Sequence, residues 1–315
     1  METHTIIIDN SDILMEICGI NEKNLKKITT ITGYDVYSRG NELIFNDDIE
    51  NRVNRLLHNL ISIAENKGNI YGTLIEAIYK EIDNCTGIDI KTVMNTNIDI
   101  SRSKKVINPK TLNQGIYIQL LNTRDIVIAY GPAGTGKTFI AIAYAIKELL
   151  EKRIKKVVLT RPVVEAGESL GFLPGDYIQK INPYIMPLFD SINLLIDSET
   201  YSKLYSQGQI EIAPLAYMRG RTFNDSIIIL DEAQNTISNQ MKMFLTRLGE
   251  NSKLFITGDI TQIDLPFKKK SGLVEAINIL KNINEIGIME FEQKDVVRHP
   301  LVKKIVSAYE KHEKA

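Results

Sequence analysis

Residues 125–150, DIVIAYGPAGTGKTFIAIAYAIKELL, decide how the rest of the chain is read. Their centre, Gly131-Pro132-Ala133-Gly134-Thr135-Gly136-Lys137-Thr138, fits the spacing G-x-x-x-x-G-K-[ST]. The apolar run 126–129 ahead of it reads as a strand and 139–150 behind it as a helix, the context this motif requires. The glycines let successive N–H groups turn inward around a phosphate. Lys137 can reach β- and γ-phosphates, and the Thr138 hydroxyl can ligate Mg²⁺. The helix N-terminus adds its partial positive charge. Residues 131–138 are therefore expected to hold nucleotide phosphates. A Gly-rich turn that binds nothing is the alternative, and the strand-loop-helix context weighs against it.

Working downstream, residues 157–159, 227–230 and 254–257 are short apolar runs, each followed by Arg, Asp, Thr or Gly. Continuous apolar strands separated by helical patterns indicate a parallel sheet covered on both faces. Functional residues then belong just past the carboxyl ends of the strands. Run 227–230 ends in Asp231 and Glu232, which are costly there unless exposed or paired. After a phosphate loop they read as a Walker B pair. Asp231 would join Thr138 in the Mg²⁺ shell, and Glu232 would orient and deprotonate the attacking water. Acids favouring a helix dipole are a compatible alternative. Run 254–257 leads to Gln262, which could touch the γ-phosphate or the water; a surface loop is the other reading. Upstream, Gln114 sits one short helix before the phosphate-loop strand. Its amide can both donate to and accept from an adenine edge. A helix-capping polar cluster explains it equally well.

At roughly 100–200 residues per domain, 315 residues make two domains. The N-terminal stretch reads as β-α-α-β-β-α, a small α+β module. It has a strand near 6–8, helices over 13–17 and 25–31, strands around a turn at 39–41, and a helix with Val53, Leu56, Leu57, Leu60, Ile61 and Ala64 on one face. Residues 87–108 are polar and weakly periodic and read as a linker. The expected division is 1–86, 87–108 and 109–315.

Composition sets the outer bounds. With 43% hydrophobic and 24% charged residues, the chain is ordinary for a globular protein, which excludes disorder and a collagen-like fibre. Its 38 basic and 39 acidic residues exclude a globally basic nucleic-acid coat but leave room for a local basic stripe. Two cysteines and four histidines are too few for a disulfide scaffold or a four-cysteine zinc site. No apolar run reaches bilayer length, and the opening METHTIIIDNSD lacks the basic n-region of a secretory signal. A soluble cytoplasmic protein without a membrane partner is expected.

In chain order, GPAGTGKT, TRP, ILDEAQN and TGDITQIDLP resemble the first RecA-like domain of superfamily 1 helicases. A closer match is the PhoH-like (phosphate-starvation-inducible) ATPase family. The residues that carry it are TRPVVEAGESLGFLPGD (160–176), NPYIMPLFD (182–190), MRGRTFNDSIIILDEAQN (218–235), MKMFLTRLG (241–249), TGDITQIDLP (257–266) and DVVRHPLV (295–302). The resemblance implies a RecA-like P-loop domain that binds and hydrolyses ATP with Mg²⁺. It also implies RNA metabolism with single-stranded RNA as partner, and a homo-oligomer, a ring of six subunits. A ribonuclease or a ribosome-associated protein is the implied protein partner. In helicases the segment holding Thr160 and Arg161 touches the nucleic-acid backbone. Arg298, just past GIMEF (287–291), is the candidate arginine finger in cis or from a neighbour; a surface salt bridge is its alternative. Arg219 and Arg221 fit a subunit contact. A helicase needs two RecA-like domains to close its ATP cleft, and the roughly 50 residues after 266 are too few for a second, so another copy of the chain is expected to complete the site.

The N-terminal module resembles a KH RNA-binding module, but Glu22 stands where the GXXG loop needs its second glycine. A carboxylate there repels a phosphate chain, so a KH-like shape without the usual RNA grip is expected. Three functional classes remain: an RNA-linked ATPase motor, a nucleotide-gated adaptor, and a phosphotransferase. The adjacent acids argue against the last, since a glutamate base suits water better than a docked acceptor.

Overall fold

The computed structural model describes residues 3–47, 51–65, 70, 72–84, 90–100, 103–162, 177–266 and 270–297. The chain divides into two compact units, residues 1–97 with 108–119 and residues 98–107 with 120–315.

In the first unit the elements are β1 (Thr3–Ile7), α1 (Ser11–Cys18), α2 (Lys23–Thr32), β2 (Val36–Arg39), β3 (Glu42–Asn46), α3 (Arg52–Glu65), α4 (Gly72–Asn84) and α5 (Ile90–Asn95). The sheet order is β1-β3-β2, antiparallel throughout. Local chemistry sets the boundaries. The Asn10 side chain accepts the Asp12 N–H at 2.9 Å to start α1, and Gly33, in the left-handed region, ends α2. The amphipathic face of α3 buries Val53, Leu56, Leu57, Leu60 and Ile63 against Ile17, Leu25, Ile28, Leu43 and Phe45. In the α1–α2 loop, Glu22 takes φ 58°. It adopts the left-handed backbone of a glycine while adding a carboxylate.

Residues 87–108 are not a plain linker. Helix α5 buries Val93 and Met94 in the first core. Strands β4 (Ile98–Ile100) and β5 (Lys105–Ile107) form an antiparallel hairpin belonging to the second unit. Three-residue strands are too short to print a period in the sequence. Helix α6 (Leu112–Thr123) then begins in the first unit, and the second resumes at residue 120 rather than 109.

The second unit is a six-stranded parallel sheet with helices, a RecA-like P-loop architecture. It comprises β6 (Ile126–Tyr130), α7 (Lys137–Leu150), β7 (Lys156–Arg161), α8 (Tyr177–Asn193), α9 (Ser198–Ser206), β8 (Ile210–Pro214), β9 (Ser226–Leu230), α10 (Ser238–Leu245), β10 (Lys253–Gly258), α11 (Gly272–Leu280) and β11 (Ile286–Glu290). The strand order is β11-β6-β10-β9-β7-β8, every pair parallel. Every residue of β9 is buried, as expected for a strand covered on both faces. Helix α7 buries Ile140 to Ile146 without a break, because the sheet lies on one side and β4 and α8 on others. Lys253, at the start of β10, donates to the Leu121, Asn122 and Arg124 carbonyls at 2.7, 3.0 and 3.1 Å. A cation closing a helix C-terminus in this way fixes where α6 hands over to β6. Burial lowers the Lys253 pKa.

Candidate functional site

Strand β6 delivers the phosphate loop, and β9 delivers the two acids, with β10 between them. The site is therefore built across three strand ends. Gly131 has φ 134°, and a Cβ there would lie 2.2 Å from the Phe291 carbonyl oxygen, so only glycine lets the loop leave β6 here. Gly134 and Gly136 also have positive φ. No side chain caps the N-terminus of α7, which starts at Lys137, so its first N–H groups remain for another acceptor.

Lys137 is 7% exposed. Its ammonium donates to the Gly131 and Pro132 carbonyls at 2.7 and 2.8 Å and to Thr135 Oγ1 at 3.2 Å. Burial lowers its pKa, and the charges of Asp259, Asp231 and Glu232 oppose that shift. Its partners are neutral oxygens, which an anionic phosphate oxygen outcompetes.

Thr138 Oγ1 donates to Asp231 Oδ1 at 2.6 Å. Thr257 Oγ1, at the end of β10, donates to the same oxygen at 2.9 Å and lies 3.2 Å from Thr138 Oγ1. Thr257 is thus the bridge across the intervening strand, a role its place in TGDITQ did not reveal. Asp231 itself donates its N–H to the Thr160 carbonyl of β7 at 2.9 Å.

Glu232 has φ 52° and ψ 38°, left-handed backbone between β9 and the 3-10 turn Ala233–Asn235. Its Oε1 accepts from Arg161 Nη2 and its Oε2 from Gln234 Nε2, both at 2.5 Å. Gln234 is nearly fully buried. It also donates to the Gln262 carbonyl at 3.1 Å and accepts the Asp259 N–H at 3.0 Å. Asp259 Oδ2 in turn accepts from the Ala133 N–H of the phosphate loop at 3.0 Å and from Gln262 Nε2 at 2.8 Å. One network therefore runs from Arg161 through Glu232, Gln234 and Asp259 to the loop.

The structure thus brings Lys137, Thr138, Asp231, Glu232 and Gln262 together. It uses Gln114 differently: the side-chain Oε1 of Gln114 accepts the Lys110 N–H at 2.7 Å, and the backbone N–H of Gln114 donates to Thr111 Oγ1 at 3.1 Å. That is the capping alternative for the start of α6, in the first unit. Arg298 lies outside the described residues, as do Glu165, Glu168, Lys268 and Lys269. The Val297 N–H, one residue earlier, donates to the Gly134 carbonyl at 2.9 Å, so the chain reaches the phosphate loop there. Arg221 forks onto Glu211 at 2.5 and 2.8 Å and stacks 4.5 Å above the Phe223 ring, with 35% of its side chain exposed. Arg161, expected in a nucleic-acid-contacting segment, is turned onto the acids.

Among the described residues no cluster of three or more His, Cys, Asp or Glu could hold a metal, and no helix is long and apolar enough to cross a membrane. The family model described as PhoH-like protein matches residues 106–310. A PhoH-like protein of Mycobacterium tuberculosis is 44% identical over 304 residues, covering 96% of this chain and 86% of its own. One of Bacillus subtilis is 42% identical over 306 residues, 96% of each chain. Protein PhoH of Escherichia coli is 42% identical over 211 residues, 66% of this chain and 60% of its own. By motif and sequence alike, this P-loop chain belongs to the PhoH-like family.

Proposed function

We propose that the chain is a Mg²⁺-dependent ATP hydrolase that works in contact with RNA. The observation that carries the hydrolytic part is the convergence of Thr138 and Thr257 on Asp231 Oδ1, beside Lys137 and with Glu232 next in the chain. Thr138 Oγ1 and Asp231 Oδ1 are hard oxygen donors of the kind Mg²⁺ takes. Mg²⁺ is usually held by one or two protein oxygens together with phosphate oxygens and water, and these two residues would supply the protein's share. When bound, the ion neutralises charge on the β- and γ-phosphates.

Lys137 exchanges its loop carbonyls for phosphate oxygens, restoring the counter-charge that burial demands. Glu232 accepts a proton from water as the water oxygen bonds to the γ-phosphorus. The bond from that phosphorus to the β–γ bridging oxygen breaks, giving ADP and phosphate. Gln262 Nε2 shares Asp259 Oδ2 with the Ala133 N–H of the loop, which supports the reading that it responds to nucleotide there.

The RNA part and the assembly with further copies rest on the family resemblance. Two basic groups that could serve an RNA track are held within the chain itself, Arg161 by Glu232 and Lys105 Nζ by the Leu194 carbonyl. ATPase rates with and without single-stranded RNA, at low and high salt, test this part. Stimulation together with salt-sensitive binding is expected. Hydrolysis indifferent to RNA, with no salt-dependent binding, would instead make the chain a nucleotide-gated adaptor.

A further inference from the structure

Glu232 is the group whose orientation matters most to the proposed chemistry, and its backbone does little to set it. A left-handed residue between a strand and a short turn receives no direction from a regular element. Its carboxylate is instead held by two side chains, Arg161 on one oxygen and Gln234 on the other. A carboxylate offers about four lone-pair positions. Two donors fix its plane and still leave a position on each oxygen for water.

Arg161 is suited to that work. As the last residue of β7, it hangs from the buried sheet, with a planar fork that loses little freedom on pairing. Its side chain is 18% exposed, and its Nε lies 3.6 Å from Asp231 Oδ2, so the guanidinium faces both acids rather than the surface. Asp231 and Glu232 are adjacent like charges, and without a cation between them their directions would be set by mutual repulsion and solvent.

We propose that Arg161 is a positioning residue for Glu232: from the end of β7 it aims the carboxylate that takes the proton of the attacking water. It acts through Glu232 and not by touching nucleotide or RNA. This rests on the hydrolytic reading above.

The test compares full-length wild type, R161Q, R161K, E232Q and the R161Q/E232Q double variant. Mg·ATP hydrolysis, affinity for a fluorescent ATP analogue and affinity for single-stranded RNA are measured on each. R161Q is expected to lower kcat roughly ten- to a hundredfold, the range for a misaimed general base. Its KM and analogue affinity stay within about threefold of wild type. R161K recovers part of the loss, since an ammonium restores one hydrogen bond but not the fork. The double variant is no slower than E232Q alone, because groups acting as one unit are not additive.

An R161Q chain with wild-type kcat overturns the proposal. So does a further loss of the same factor in the E232Q background. A loss of analogue affinity that matches the loss of kcat would make Arg161 structural, and a defect confined to RNA affinity would make it a nucleic-acid contact; either overturns the proposal. A wild-type chain that does not hydrolyse ATP overturns the hydrolytic reading itself. An active wild type with a normal R161Q overturns this inference alone.

Discussion

Thr257→Val isolates the bridge between the phosphate loop and the acids. The Thr257 hydroxyl is fully buried, donates to Asp231 Oδ1 at 2.9 Å and lies 3.2 Å from Thr138 Oγ1. Valine keeps the shape and puts a methyl against the carboxylate. A hydrogen bond to a charged group contributes about 1.5–3 kcal/mol. For a unit of this size each kcal/mol moves Tm by about 2–4 °C, so the transition of the nucleotide-free protein should fall by roughly 3–12 °C. Thr257→Ser keeps the donor and removes one methyl, at a cost of about 0.8 kcal/mol. Thermal unfolding followed by circular dichroism separates the two. The Mg²⁺ concentration for half-maximal hydrolysis should also rise in T257V and stay near wild type in T257S, because Asp231 Oδ1 loses one of the two hydroxyl donors that align it. A T257V protein within about 0.5 kcal/mol of wild type, or a T257S protein as damaged as T257V, would refute the reasoning.

Other consequences can be measured on the same protein. Hydrogen bonds from Arg221, reinforced by Lys156, pull the Glu211 pKa from 4.5 down to about 2. A depressed folded-state pKa contributes stability that is complete above the unfolded value and is lost as pH falls through 4.5 toward 2. The stability gap between wild type and E211Q should therefore close over that window, and a gap constant with pH would remove Glu211 from the account. At Gly131, alanine meets the Phe291 carbonyl at 2.2 Å in a backbone region side chains avoid. G131A should lose at least about 1–3 kcal/mol and most of its affinity for a nucleotide analogue; unchanged stability and binding would mean the loop leaves β6 without needing glycine.

The sheet and the site were legible to different degrees, for physical reasons. A strand buried on both faces prints an unbroken apolar run, so β6, β7, β9 and β10 fall on runs visible in the sequence. Strand β8 is an edge, carries Glu211 in IEIAP and is only partly buried at Glu211 and Ile212, so it prints no such run. The phosphate loop and the Asp231-Glu232 pair are spacing patterns within a few residues. The contacts that join them are not. Thr138 meets Asp231 across 93 positions and Thr257 across 119, separations set by strand order alone. Arg161 shows how a residue type misleads. An arginine after a strand points to the ligand face, but only the neighbouring strand's register shows that it stops at Glu232. Gln114 shows the converse: an amide capable of reading a base satisfies its own helix terminus.

The central claim is that residues 131–138, Asp231 and Glu232 form one hydrolytic site with separable duties of binding and chemistry. Glu232→Gln keeps the size of the side chain and removes its capacity to take a proton. Single-turnover hydrolysis of ATP, measured beside equilibrium binding of ATP in Mg²⁺, tests the claim most directly. The account predicts that E232Q binds ATP as wild type does while its chemical step slows by roughly a hundredfold or more. An E232Q chain that hydrolyses ATP at the wild-type rate would contradict it.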